Sequence, residues 1–293
     1  MGDNAIEIRG LEKSYPKFKL GPLDLSVPRG AIYGFVGRNG AGKTTTMDLM
    51  FGMGNADAGA ITVNDLDHRR DEVEFKRRVG YVNPDLSFGI WGTVGKAIRF
   101  VRDFYPSWDN VYCDELMVAF DLDAKDAIVT LSFGAKTKLN LLMALAHRPE
   151  VLILDEPTTG LDAISRKRVF EELLKSVQAG ERTVLISSHG LADLERFADH
   201  VGFIKDGRLL LEGRTDEVVE RFRQIDFEVP AEFHLNGIEG CHVSGRDGKR
   251  WRALIDRSLA GWEKLRADGI KELANVPVTL EEMFVAIMQE DLG

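Results

Sequence analysis

The chain has 293 residues, with 47 acidic and 38 basic side chains and a net charge of −9. That balance argues against a broad basic surface for nucleic acid, while 44% apolar residues can fill a sizeable core. Cys113 and Cys241 are far apart and lack metal-ligand spacing, which reads as free thiols in a reducing compartment. The Met1-Gly2-Asp3-Asn4 start shows no basic-then-apolar leader pattern, and no apolar run reaches the ~18 residues needed to cross a bilayer. A cytoplasmic protein is expected, serving a membrane only through a partner.

In chain order, residues 5–9 and 22–27 alternate as strands, with Tyr15 between them. Residues 31–36 form an apolar run that reads as a buried strand, and residues 45–51 start a helix. Between them lie Gly37, Arg38, Asn39, Gly40, Ala41, Gly42, Lys43, Thr44 and Thr45, which fit G-x-x-x-x-G-K-[ST] in the strand–loop–helix setting of a phosphate-binding loop. Glycines let successive N–H groups point at phosphate oxygens, and the helix N-terminus adds positive potential. Lys43 is expected at the β- and γ-phosphates, and Thr44 at Mg²⁺.

Further on, residues 61–63 read as a strand turned at Asn64-Asp65, residues 71–78 as a charged helix and 79–82 as a strand. From 84 to about 150 the pattern is helical, clearest over 93–104 and 110–120, and reads as an insertion. The core resumes at 151–154, four apolar residues typical of a central parallel strand. A helix (163–176), a strand (183–187), a helix (191–198), a strand pair (201–204 and 208–211) turned at Asp206-Gly207, and a helix (215–224) follow. This alternation implies a mostly parallel sheet. Residues 226–229, 241–244 and 250–255 suggest short strands, with a turn over 245–248, then helices near 258–267 and 280–288. The expected division is 1–224 with a helical subdomain at about 85–150, then a small α+β appendage over 225–293.

Asp155 and Glu156 end the apolar run at 151–154. Asp155 is placed to hold Mg²⁺ through water, and Glu156 to take a proton from the water that attacks the γ-phosphate. Leu131-Ser132-Phe133-Gly134-Ala135 precedes a helix over 136–146, and Ser187-Ser188-His189 ends the next strand.

With Tyr15, the phosphate loop, the helical insert, Leu-Ser-x-Gly, Asp-Glu, Gly160-Leu161-Asp162 and His189 in this order, residues 4–224 resemble the ATP-binding cassette ATPases, the nucleotide-binding subunits of ABC transporters. The resemblance implies a P-loop NTPase α/β core with a small antiparallel β subdomain. It implies ATP and Mg²⁺ as cofactors and a head-to-tail dimer closing over two ATPs. In that scheme Tyr15 stacks on adenine, Ser132 and Gly134 meet the γ-phosphate held by a partner subunit, Asp162 joins the two sites, and His189 contacts the γ-phosphate. The partners implied are a second copy or a paralogous cassette and a separate multi-span membrane subunit. Residues 104–109 and the Thr279-Leu280-Glu281-Glu282-Met283-Phe284 ending look like cassettes of ABC-2 exporters. A soluble non-transport cassette, or a weakly catalytic regulatory subunit, is the alternative.

Two departures stand out. Where the family has Gln, this chain has Pro84, which can donate nothing; Asn83, or Asp85 as a metal ligand, are the candidate substitutes. Phe133 and Ala135 depart from Leu-Ser-Gly-Gly-Gln. Phe88, Trp91 and Trp108 are candidates for a groove that receives a helix of the membrane subunit. The appendage carries no readable chemistry, and Trp251 and Trp262 are expected in its core.

Overall fold

Two strands open the chain, β1 (Asn4–Tyr15) and β2 (Phe18–Pro28), paired antiparallel from Asn4↔Pro28 to Tyr15↔Phe18. In the computed structural model, which describes residues 3–178, 182–188, 190–230, 240–259, 261–267 and 270–288, both outrun the alternating segments seen in the sequence. Their ladder continues through bulges at which the period-2 pattern slips. β3 (Ile32–Gly37) is buried at every position and is joined by the loop over residues 38–42 to α1 (Lys43–Phe51). β4 (Ala58–Val63) adds to β1, completing a three-stranded antiparallel sheet ordered β2-β1-β4. Asn64 and Asp65 both take positive φ, 49° and 64°, at the turn that closes it.

Next come α2 (Glu72–Arg78) and β5 (Val79–Val82). The helical segment contains α3 (Val94–Arg102), α4 (Asn110–Ala119) and α5 (Phe133–Ala146). Asp109 caps α4 by accepting from the Tyr112 N–H at 2.9 Å. The core then returns as β6 (Val151–Leu154), α6 (Ala163–Gln178), β7 (Thr183–Ser187), α7 (Leu191–Phe197), β8 (His200–Lys205) and β9 (Arg208–Arg214). The six-stranded sheet runs β5-β6-β7-β3-β8-β9, and the pairs β5–β6, β6–β7, β7–β3 and β3–β8 are all parallel. The central residues of its inner strands are buried and largely apolar, as expected where both faces are covered.

The chain divides into two compact units, Met1–His189 with Phe197–Leu211, and Gly190–Arg196 with Glu212–Gly293. In the first, a large core joins β1, β2, β3 and α1 residues such as Leu11, Leu25, Phe35 and Met47. The second contains α8 (Thr215–Arg221), β10 (Phe222–Glu228), β11 (Cys241–Asp247), β12 (Arg250–Asp256), α9 (Gly261–Ala267), β13 (Lys271–Pro277) and α10 (Leu280–Met288). Its sheet is ordered β11-β12-β10-β13. Ile225, Phe227, Ala253, Ile255 and Leu265 form its core, with Trp251 packed against them; the Trp262 side chain lies outside what is described. The turn expected at 245–248 falls later, at 248–249, because a bulge after Val243 keeps Gly245 inside the strand. β13 escaped the sequence reading: all seven residues are exposed on an edge strand, so no apolar face marks it.

Candidate nucleotide site

The phosphate loop leaves the C-terminal end of β3 and becomes α1. Gly42, immediately before the helix, sits at φ 112°, a conformation L side chains rarely adopt. A cavity of about 400 Å³ opens here, lined by Arg38, Asn39, Gly40, Gly42, Lys43, Thr44 and Thr45 from the loop and by Asp155 and Glu156 from beyond β6. Ala41 is buried beneath them. Lys43 is only 6% exposed, and its Nζ donates to the carbonyls of Gly37 at 2.7 Å and Arg38 at 3.3 Å. Burial pulls its pKa below the ordinary lysine value, against the opposing charges of Glu156 and Asp155. The ammonium thus lies within the loop where phosphate oxygens would otherwise accept its protons.

Thr44 Oγ1 donates to Asp155 Oδ2 at 2.6 Å. Asp155 is almost fully buried and is held from its other oxygen by Ser187 Oγ at 2.5 Å. The same Ser187 hydroxyl accepts the Glu156 N–H at 2.9 Å. Strand order explains this: β7 is the neighbour of β6, so the last residue of β7 reaches the two acids that follow β6. The sequence marks Ser187 only as a strand end; the signal that points to it is a hydroxyl directly after the apolar run 184–186. Glu156 has φ 48°, an uncommon value for a residue other than glycine, and accepts from Thr159 Oγ1 at 3.3 Å.

The Thr44–Asp155 pair presents two hard oxygens beside the loop, a donor set that suits Mg²⁺ completed by phosphate and water. Among the described residues no group of three or more His, Cys, Asp or Glu side chains could hold a metal by itself. Asp85 is exposed and lines a neighbouring 270 Å³ cavity with Asn83, Pro84, Phe133, Asp155 and Glu156. It does not line the loop cavity.

The remaining candidates are not all gathered at this cavity. Tyr15 is 49% exposed at the end of β1, whereas Phe18, its partner across the turn, lines the cavity. Ser132 caps α5 through the Ala135 N–H at 3.1 Å, and neither it nor Gly134 lines the loop cavity. Gly134 packs so tightly that a Cβ there would meet the Gly160 carbonyl oxygen at 2.7 Å. Phe133 covers Gly160, and Thr137 Oγ1 reaches the Thr159 carbonyl at 3.4 Å. The Leu-Ser-x-Gly segment and the Gly160-Leu161-Asp162 segment are therefore one packed unit. Asp162 then starts α6 by accepting from Ser165 N at 2.9 Å. His189 lies outside the described residues.

An apolar groove of about 640 Å³ in the same unit is lined by Phe51, Tyr81, Phe88, Phe104, Tyr105 and Met143 among others. Phe88 is in it, but Trp91 instead stacks on Phe100 at 3.6 Å, and Trp108 is not among the lining residues. Among the described residues no helix is long and apolar enough to cross a membrane.

Comparison with known proteins adds to this geometry. Residues 20–159 match the ABC transporter family. The chain is 30% identical over 289 residues to the ABC transporter ATP-binding protein YtrB of Bacillus subtilis, covering 96% of this chain and 97% of that one. It is 33% identical to the bacitracin transport ATP-binding protein BcrA of Bacillus licheniformis, over 76% of this chain and 74% of the relative. Among solved structures it is similar in fold to an ATP-binding subunit of an ABC transporter (TM-score 0.65, 24% identity, 74% of this chain and 92% of that one). It is also similar in fold to a dimeric cassette in a post-hydrolysis state with ADP and Pi (TM-score 0.62, 20% identity, 72% of this chain and 98% of that one).

Proposed function

From the premise that this chain belongs to the ABC transporter ATP-binding proteins, and so is an ATPase subunit, we propose how its residues divide the work and what it serves. The observation that carries the reading is the continuous chain Thr44–Asp155–Ser187–Glu156 at the edge of the phosphate loop. The loop N–H groups of residues 37–45 hold the phosphates, and Lys43 exchanges its two carbonyl partners for β- and γ-phosphate oxygens. Thr44 and Asp155 would hold Mg²⁺, which would supply positive charge against that developing on the phosphates. Glu156 accepts a proton as water oxygen bonds to the γ-phosphorus and the bond to the β-phosphate oxygen breaks, leaving ADP and phosphate. Tyr15 and Phe18 offer two ring faces for adenine at the loop's rim.

Ser132 and Gly134 stand away from their own chain's loop cavity. They serve the nucleotide of a second subunit, a second copy or a paralogous cassette, in a head-to-tail dimer. The packing of Gly134 on Gly160 moves Asp162 with them. The apolar groove accepts a cytoplasmic helix of a separate membrane subunit, which keeps the chain at the cytoplasmic face. Relatives named for bacitracin transport, daunorubicin resistance and Nod factor export favour an outward-directed cargo.

The test is ATP turnover and ATP-dependent dimerisation of the purified chain and its Glu156→Gln variant. Loss of the base is expected to lower turnover by ~10²–10⁴-fold while nucleotide binding and dimerisation persist. Undiminished turnover in the variant would remove Glu156 as the base.

A further inference from the structure

Asp48 lies one turn beyond Thr44 on α1, on the helix that begins at the phosphate loop. Its Oδ1 accepts hydrogen bonds from the Tyr81 hydroxyl and from Asn83 Nδ2, the latter at 3.0 Å. Asn83 Nδ2 also donates to the Tyr81 oxygen at 3.0 Å, and Asn83 Oδ1 accepts the Asp85 N–H at 2.8 Å. The amide that sequence alone offered as a stand-in for the missing glutamine is thus committed to α1. Tyr81 is held at its other end as well: its ring stacks on Phe51, the last residue of α1, at 4.5 Å and 15°. β5, which carries Tyr81, is hydrogen-bonded in parallel to β6, with Val82 level with Leu154. The Val82 carbonyl accepts the Asp155 N–H at 2.8 Å.

The end of β5 is therefore clamped on one side to the helix of Thr44 and on the other to the backbone of Asp155. We propose that Asp48, Tyr81 and Asn83 are positioning residues that set the separation of Thr44 and Asp155, and with it the affinity for the divalent cation of the nucleotide complex. This rests on the reading that Thr44 and Asp155 hold that cation. The physical basis is that a metal ligand is only as well placed as the groups that orient it. A hydroxyl–carboxylate pair drawn from residues 111 positions apart has no local constraint on its spacing. The three side chains supply one across a single carboxylate oxygen.

The experiment is calorimetric titration of Mg²⁺ into the full chain saturated with a non-hydrolysable ATP analogue, beside analogue binding without Mg²⁺. Tyr81→Phe keeps the ring stack and removes one donor; Asp48→Leu removes the acceptor; Asp48→Asn keeps an acceptor oxygen at the same place. The Mg²⁺ affinity is expected to fall about tenfold in Tyr81→Phe and Asp48→Leu and to be largely retained in Asp48→Asn. Metal-free analogue binding is expected to stay unchanged in all three. Equal loss with and without Mg²⁺, or unaltered Mg²⁺ affinity in Tyr81→Phe with a native melting temperature, would overturn the inference. Thr44→Ala separates the two levels. If it weakens Mg²⁺ while Tyr81→Phe does not, the clamp alone fails; if it has no effect, the metal assignment falls and takes the clamp with it.

Discussion

Thr44 donates a 2.6 Å hydrogen bond to Asp155, joining the first turn of α1 to the end of β6. The carboxylate that accepts it is held from behind by Ser187 at 2.5 Å. One buried carboxylate therefore has its two oxygens assigned to two different strand–helix junctions.

Asp155→Asn is expected to cut ATP turnover by about 100-fold, about 2.7 kcal/mol of transition-state stabilisation. Ser187→Ala leaves Asp155 in place but takes away one hydrogen bond to a charged group. Its expected effect is smaller, about 1.5 kcal/mol, the low end for a hydrogen bond to a charged group, and falls on kcat more than on KM, because Ser187 does not line the loop cavity. Steady-state kinetics on both variants checks the ranking. A Ser187→Ala enzyme with wild-type kcat would show that Asp155 needs no support from β7.

The second prediction concerns Gly134. A methyl group there would meet the Gly160 carbonyl oxygen at 2.7 Å, so backbone must shift. Gly134→Ala is expected to destabilise the chain by ~1–3 kcal/mol and to reduce turnover by displacing Ser132 and Asp162 together. Denaturant melts and ATPase assays at a temperature where the variant is fully folded read the two effects separately. Wild-type turnover in a destabilised but folded variant would argue against a linked movement of the two segments.

The third lies in the second unit. Asp256, 3% exposed, accepts from Arg221 at 2.5–2.9 Å and from Ser258 at 2.7 Å. Burial disfavours its charged form, but the hydrogen bonds from Arg221 and Ser258 hold the carboxyl below its ordinary value. The folded pKa is lower than the unfolded value of about 4. Its stabilisation is therefore complete above about 4 and lost as pH falls through the folded value. Asp256→Asn is expected to cost about 1–3 kcal/mol at neutral pH and to lose less stability than the parent on acidification. Urea melts at pH 7 and pH 3.5 on both proteins test this. Parallel losses on acidification would exclude the Arg221–Asp256 pair as a source of the pH dependence.

Much of the first unit was readable because its signals are local. The run at 151–154 announces a central strand, and positive φ at Asn64, Asp65 and Asp206 sits where the turn residues suggested. Where local signal is weak, the reading fell short. β1 and β2 continue past their alternating cores through bulges, and β13 has no buried face to give it away. Phe18 lines the loop cavity where its hairpin partner Tyr15 does not, a difference that two aromatic residues three positions apart do not reveal in one dimension.

Residues read in order were enough to place the strand–loop–helix turn that carries Gly42, Lys43 and Thr44, since its signals are local. They were also enough to pick out Asp155 and Glu156 as paired acids closing an apolar strand. Folding decided the partners. Ser187 meets Asp155 only because β7 lies between β6 and β3; the Asn83 amide turns to Asp48 only because β5 ends beside α1; Phe133 covers Gly160 only because α5 begins where α6 is about to start. Each pair is far apart along the chain, and its distance is set by strand order and helix placement, quantities that no short window of residues contains.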